Sequence, residues 1–170
     1  MTSSERFFTD FKERIDSEGF EKIIELYITF SRFECALKQS VKFANITGGK
    51  VEPNWDAFVS EIRPLFNFSI SPSLESSTQY LLRNPPKKQV INCQAILWTA
   101  NPAPETLPEI NKLLFYIKNV RNNLFHGGKF NGNFSKDESR NYRLINSCLV
   151  VLNNWLELHE EVKNLFLSPI

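Results

Sequence analysis

Between Ile110 and Leu124 apolar residues return every three or four positions, at Ile110, Leu113, Leu114, Ile117, Val120 and Leu124. That recurrence matches the turn of an α-helix and leaves a polar face opposite. The same spacing runs through most of the chain. Phe7, Phe8, Phe11 and Ile15 form a first stripe, closed by Gly19. A second segment runs from Phe20 to about Phe43, with Ile23, Ile24, Tyr27, Phe30, Ala36, Leu37 and Val41 on its apolar side, and stops at Thr47-Gly48-Gly49. A last long helix carries Leu144, Ile145, Cys148, Leu149, Leu152, Trp155, Leu156 and Val162. Its entry, Ser135-Lys136-Asp137-Glu138, matches the capping box, in which serine and glutamate satisfy reciprocal backbone donors. This patterning predicts an all-α fold, a single-domain helical bundle over residues 1–170.

The intervening segments are shorter. Asn54 is placed to cap a helix carrying Trp55, Phe58, Val59 and Ile62, and Pro64 ends it. Ser71-Pro72 suits the start of another helix reaching Leu82, which Asn84-Pro85-Pro86 stops. Gln89 to Thr99 fits a buried helix or a strand, and is assigned to helix because nothing nearby offers strand partners. The 15 phenylalanines supply ample apolar surface for one core and argue against disorder.

A net charge of +1, with neither a basic nor an acidic tail, means that any nucleic-acid contact must come from a local patch. The three cysteines, Cys35, Cys93 and Cys148, are widely spaced in apolar stretches and read as buried, reduced thiols. Neither His126 nor His159 has a partner at metal-ligand spacing, so no metal site and no cofactor are expected. Acidic residues interrupt the N-terminal segment where a signal peptide needs an apolar run, and no apolar run reaches membrane-spanning length; the expectation is a cytoplasmic protein without membrane partners.

One segment departs from ordinary helix faces. In Val120-Arg121-Asn122-Asn123-Leu124-Phe125-His126-Gly127-Gly128-Lys129, polar residues crowd the end of a helix and two glycines release the backbone. Asn122 and His126, four residues apart, share a face, while Arg121 lies roughly 140° from His126 and must reach round or across to a partner subunit. The unpaired carbonyls at the helix end favour an imidazolium, which suits His126 to giving or taking a proton. Arg121 offers a permanently charged fork that matches phosphate oxygens, and Lys129 a second contact past the flexible glycines. Such a set suits phosphodiester cleavage without metal.

Arg121-Asn122-Asn123-Leu124-Phe125-His126 resembles the motif of the HEPN superfamily: an arginine, usually a polar residue after it, and a histidine five positions on, near a helix end. The surrounding VRNNLFHGGK is similar to plasmid-borne and defence-associated HEPN families, and Arg32-Phe33-Glu34-Cys35-Ala36-Leu37-Lys38 to an early-helix signature in some of them. The resemblance implies a helical bundle that forms a homodimer, with two motif copies facing each other across a cleft. It implies a metal-independent endoribonuclease in which the 2′-hydroxyl attacks the adjacent phosphate and leaves a 2′,3′-cyclic phosphate. Arg121 and His126 would be catalytic and Asn122 would orient them. RNA is then the substrate, the role is that of a toxin or anti-phage effector, and a cognate antitoxin or neutralising protein is a further partner. Some toxin subfamilies carry a tyrosine two residues after the histidine, which an antitoxin nucleotidyltransferase modifies; Gly128 stands there instead, so the resemblance does not extend to that modification.

Blander readings compete. Arg121, Asn122 and His126 also suit an ordinary helix C-terminus, as in a structural adaptor, or a HEPN domain that binds RNA or nucleotides, or acts as an antitoxin-like module, without cleaving. Arg32 and Lys38 are candidate RNA contacts, but with Glu34 they fit better a solvated helix face carrying a Glu34–Lys38 pair. His159, among glutamates, is expected to be exposed, Lys87-Lys88 to be a solvated loop, and Trp55, Trp98 and Trp155 to be core.

Overall fold

A computed structural model describes residues 1–15, 17–93, 95–126 and 138–169. Seven helices are described: α1 (Ser3–Arg14), α2 (Ser17–Gln39), α3 (Trp55–Ile62), α4 (Pro72–Arg83), α5 (Glu109–Phe125), α6 (Glu138–Glu157) and α7 (Glu160–Leu167). Two antiparallel hairpins interrupt them, β1 (Ala44–Thr47) with β2 (Lys50–Pro53) and β3 (Lys88–Asn92) with β4 (Ala95–Thr99). The fold is therefore helix-dominated but mixed, and the all-α expectation is corrected.

Both hairpins have local causes. The second helical segment ends at Gln39, before the predicted Phe43, and Gly48 and Gly49 then take φ of 58° and 78°. That backbone suits a tight hairpin turn, which pairs Thr47 with Lys50 and Ala44 with Pro53. Residues 88–99 need no external strand, because the segment folds back on itself and pairs Val90 with Leu97 and Ile91 with Ile96. Its β-branched residues favour the extended form, and Cys93 adopts φ 47° at the turn. Cys93 is thus exposed rather than core, and Trp98 is half-buried on β4.

Gly19 does not end a helix. The break between α1 and α2 falls near residue 16, and Gly19 lies buried inside α2 beneath Tyr142 of α6. A Cβ at this position would come within 2.1 Å of the Tyr142 ring, so the glycine is favoured by close approach and not by backbone conformation, and any larger residue must push the half-buried ring aside. Gly19→Ala is expected to destabilise the protein by about 1–3 kcal/mol: overpacking outweighs the gain of about 1 kcal/mol in helix propensity. Thermal unfolding of Gly19→Ala, with Gly19→Ala/Tyr142→Leu as the relieved control, measures it.

The core is one cluster of buried side chains from α2, α3, α4, α5, α6 and α7. An aromatic block sits inside it. Phe33 lies 4.8 Å from Trp55 and 5.1 Å from Phe58 (ring centroids), and Phe30 lies 5.1 Å from Trp55. Trp155 and Cys148 of α6 are fully buried, and burial pushes the Cys148 thiol above the ordinary range, so it stays protonated and inert. Cys35 is half-buried. α1 contributes less than its stripe predicts: Phe7 and Phe8 are 54 % and 50 % exposed, and only Ile15 at its end enters the core. Val41, expected on the apolar side of a helix, falls in the turn after α2 and is exposed.

Predicted caps are in place for α3 and α4, where Asn54 accepts from the Ala57 amide and Ser71 from the Leu74 amide. His159 is not the exposed residue expected from its neighbours. Its Nδ1 accepts from the Val162 amide (3.3 Å) at the start of α7, and its ring packs on Phe43 at 5.1 Å. The capping box expected at Ser135–Glu138 begins outside the described residues, which include only Glu138 of it, the first residue of α6. Among the described residues, no helix is long and apolar enough to cross a membrane.

Candidate functional site

α5 carries the motif. Its buried stripe, Ile110, Leu113, Leu114, Ile117, Val120 and Leu124, holds the helix against the core and turns the intervening polar residues of the last two turns outward. His126 caps the helix, its own amide bonding back to the Asn122 carbonyl at 3.0 Å. The imidazole is exposed and has no hydrogen-bond partner among the described residues. It faces solvent at the tip of a helix whose final carbonyls carry partial negative charge.

Arg121 is only half-exposed. Its guanidinium lies between two aromatic faces, 5.3 Å from the Phe30 ring centroid on α2 and 5.1 Å from that of Phe125. Nη1 donates to Asn122 Oδ1 at 3.0 Å, so Asn122 orients the arginine. Nε is buried without a hydrogen-bond partner among the described residues. Phe125 is in turn fixed edge-on by Tyr27 of α2, at 5.0 Å. The rings hold the cation without neutralising it, which leaves the charge available to an anion.

Asn123 points elsewhere. Its side-chain amide donates to the Lys87 carbonyl at 2.7 Å and so ties α5 to the start of the β3–β4 hairpin. Beside it, Arg140 of α6 donates to the Pro85 carbonyl at 3.0 Å. A narrow cleft among Pro86, Val120, Asn123 and Leu144 has only about 20 Å³ of free space, room for roughly one water and not for a ligand. These contacts were not foreseen from the sequence, because asparagines at a helix end give no sign of which carbonyl they meet.

The other candidates separate from the motif. Arg32 is spent on α7: Nε and Nη2 donate to the carbonyls of Leu165, Phe166 and Ser168 at 2.7–3.1 Å. It closes the C-terminus of that helix, where four carbonyls lack helical partners. Arg32→Ala is expected to cost about 2–3 kcal/mol and to raise amide exchange selectively in residues 160–168, while Arg32→Lys, which has no fork, recovers only part. Glu34 accepts from Trp55 Nε1 at 3.4 Å rather than pairing with Lys38. Lys38 is exposed near the end of α2, roughly 12 Å along the axis from Phe30, and is not brought to Arg121. Lys129 falls outside the described residues. Among the described residues, no group of three or more His, Cys, Asp or Glu side chains could hold a metal ion.

Comparison of the chain with family models, with curated proteins and with solved structures found no match.

Proposed function

We propose that this chain is a metal-independent endoribonuclease of the HEPN type, acting as a cytoplasmic homodimer in a toxin or anti-phage role. The observation that carries the reading is a guanidinium cradled by Phe30 and Phe125 and oriented by Asn122, five residues before an exposed imidazole with no hydrogen-bond partner among the described residues. In the reaction the RNA 2′-hydroxyl attacks its own phosphorus, the new 2′-oxygen–phosphorus bond forms, and the 5′-oxygen leaves. One His126 imidazole takes the 2′-hydroxyl proton, and the second copy's imidazolium returns a proton to the departing 5′-oxygen. Arg121 balances the charge that gathers on the phosphate oxygens.

The dimer reading rests on the surface beside the motif. Ile24, Tyr27 and Ile28 of α2 are 40–54 % exposed, and Tyr27 touches Phe125, so a second copy seated there would bring two motifs together. The alternative is a non-cleaving RNA- or nucleotide-binding or antitoxin-like module. It is favoured by Arg121 Nε, whose burial is also what plain packing produces. Incubation of total RNA with the protein in EDTA separates the two. Fragments ending in 2′,3′-cyclic phosphate are expected, from a species that light scattering sizes as a dimer. A folded dimer that leaves RNA intact would favour the binding module.

A further inference from the structure

A second cationic surface lies away from the motif. α4 and α6 pack against each other, and an open depression of about 550 Å³ is lined by residues of α4 together with Arg143 of α6. Two arginines line it, Arg83 in the last turn of α4 and Arg143 in α6. Both are exposed, and neither has an ion-pair partner among the described residues. Arg143 lies over the Tyr80 ring, its guanidinium carbon 4.1 Å from the centroid. That contact holds the guanidinium against the ring without neutralising its charge. One carboxylate, Glu75, also lines the depression and accepts from Gln79 Nε2 at 3.3 Å.

With a whole-chain charge of only +1, two unpaired arginines in one depression are a local feature, not part of a general basic field. A planar cation on an aromatic ring, with a second fork beside it, matches a phosphodiester and an adjacent base: the forks take the phosphate oxygens, and the stacked arginine offers a flat face to the base. The depression is also joined to the motif by backbone. The chain runs from Arg83 through Pro85 and Pro86 to Lys87, at most roughly 14 Å away. Arg140 holds this stretch at the Pro85 carbonyl and Asn123 of α5 holds it at Lys87.

We infer that the α4–α6 depression is a binding site for single-stranded RNA, in which Arg83 and Arg143 grip the phosphate backbone and lead the strand over Lys87 toward the end of α5. The direction toward α5 rests on the ribonuclease reading; binding at Arg83 and Arg143 does not. The test uses the full chain with His126→Ala, so that the RNA stays intact, and follows fluorescence anisotropy of a labelled oligouridylate across a salt series. Arg83→Gln/Arg143→Gln is expected to weaken binding at least about tenfold and to flatten the slope of log K against log salt by about 1.4, two phosphate contacts at about 0.7 each. Arg143→Lys keeps the charge but not the stacked fork, and should fall between. Inorganic phosphate added at constant ionic strength distinguishes a bare anion site: displacement of the oligonucleotide at millimolar concentration would overturn the strand site, and its retention upholds it.

Unchanged affinity in the double variant, with circular dichroism showing it folded, overturns the proposal, and so does a parent that binds no oligonucleotide. RNA binding that depends on Arg83 and Arg143 in a protein that never cleaves would uphold this site and refute the ribonuclease. Cleavage that persists with unaltered binding in the double variant would do the reverse.

Discussion

His126→Ala is expected to lower RNA cleavage by roughly 100- to 10,000-fold, the range associated with removing a proton-transfer group. The same change should leave the melting temperature within about 2 °C, since an exposed side chain without partners contributes little to stability. His126 is solvent-exposed at the end of α5 and its side chain has no hydrogen-bond partner among the described residues. Arg121→Ala should abolish cleavage to a similar degree, but with a second effect. Its guanidinium sits 5.3 Å and 5.1 Å from the Phe30 and Phe125 ring centroids, so removal also costs about 1–2 kcal/mol. The two substitutions are therefore distinguishable: equal losses of activity, unequal losses of stability. Full cleavage by His126→Ala would remove the imidazole from the mechanism and with it the HEPN reading.

Phe33→Ala is expected to cost about 3–5 kcal/mol, enough to unfold a marginal domain at physiological temperature. Phe33 is 0 % exposed and touches three aromatic rings: Trp55 at 4.8 Å, Phe58 at 5.1 Å and Phe166 at 6.4 Å. Deleting it opens a cavity that rigid rings on α3 and α7 cannot collapse to fill. Phe33→Leu keeps most of the volume and should cost less than half as much. Denaturant unfolding of the pair measures the difference. An alanine variant within 1 kcal/mol of the parent would show that the aromatic block around α2 and α3 is not close-packed.

The helices were legible because their causes are local. Asn54 and Ser71 cap α3 and α4 through their own side chains, and the stripe from Ile110 to Leu124 is the buried face of α5. The motif was legible for the same reason: Arg121, Asn122 and His126 lie within two turns of one helix, and helical geometry places them at its end whatever surrounds it. The hairpin over 88–99 was not. Its apolar run satisfies both periodicities, and the partner that decides in favour of strand is the second half of the run itself. Gly19 misled because a glycine reads as a helix stop, whereas its role depends on Tyr142, far away in sequence.

The sequence by itself determined that the chain is mostly helical, the starts of α3 and α4 at Asn54 and Ser71, the buried stripe of α5 and the cluster of Arg121, Asn122 and His126, since each is set by spacing and backbone chemistry within a few residues. Only the tertiary structure decided what each polar group meets. Arg32 and Arg121 have the same side chain, and each sits on a long, partly buried helix. One ends on the carbonyls of Leu165, Phe166 and Ser168, and the other between Phe30 and Phe125 with no ion-pair partner among the described residues. A long flexible cation takes whatever partner the packing brings within reach, and that partner is set by the crossing of helices distant in the chain.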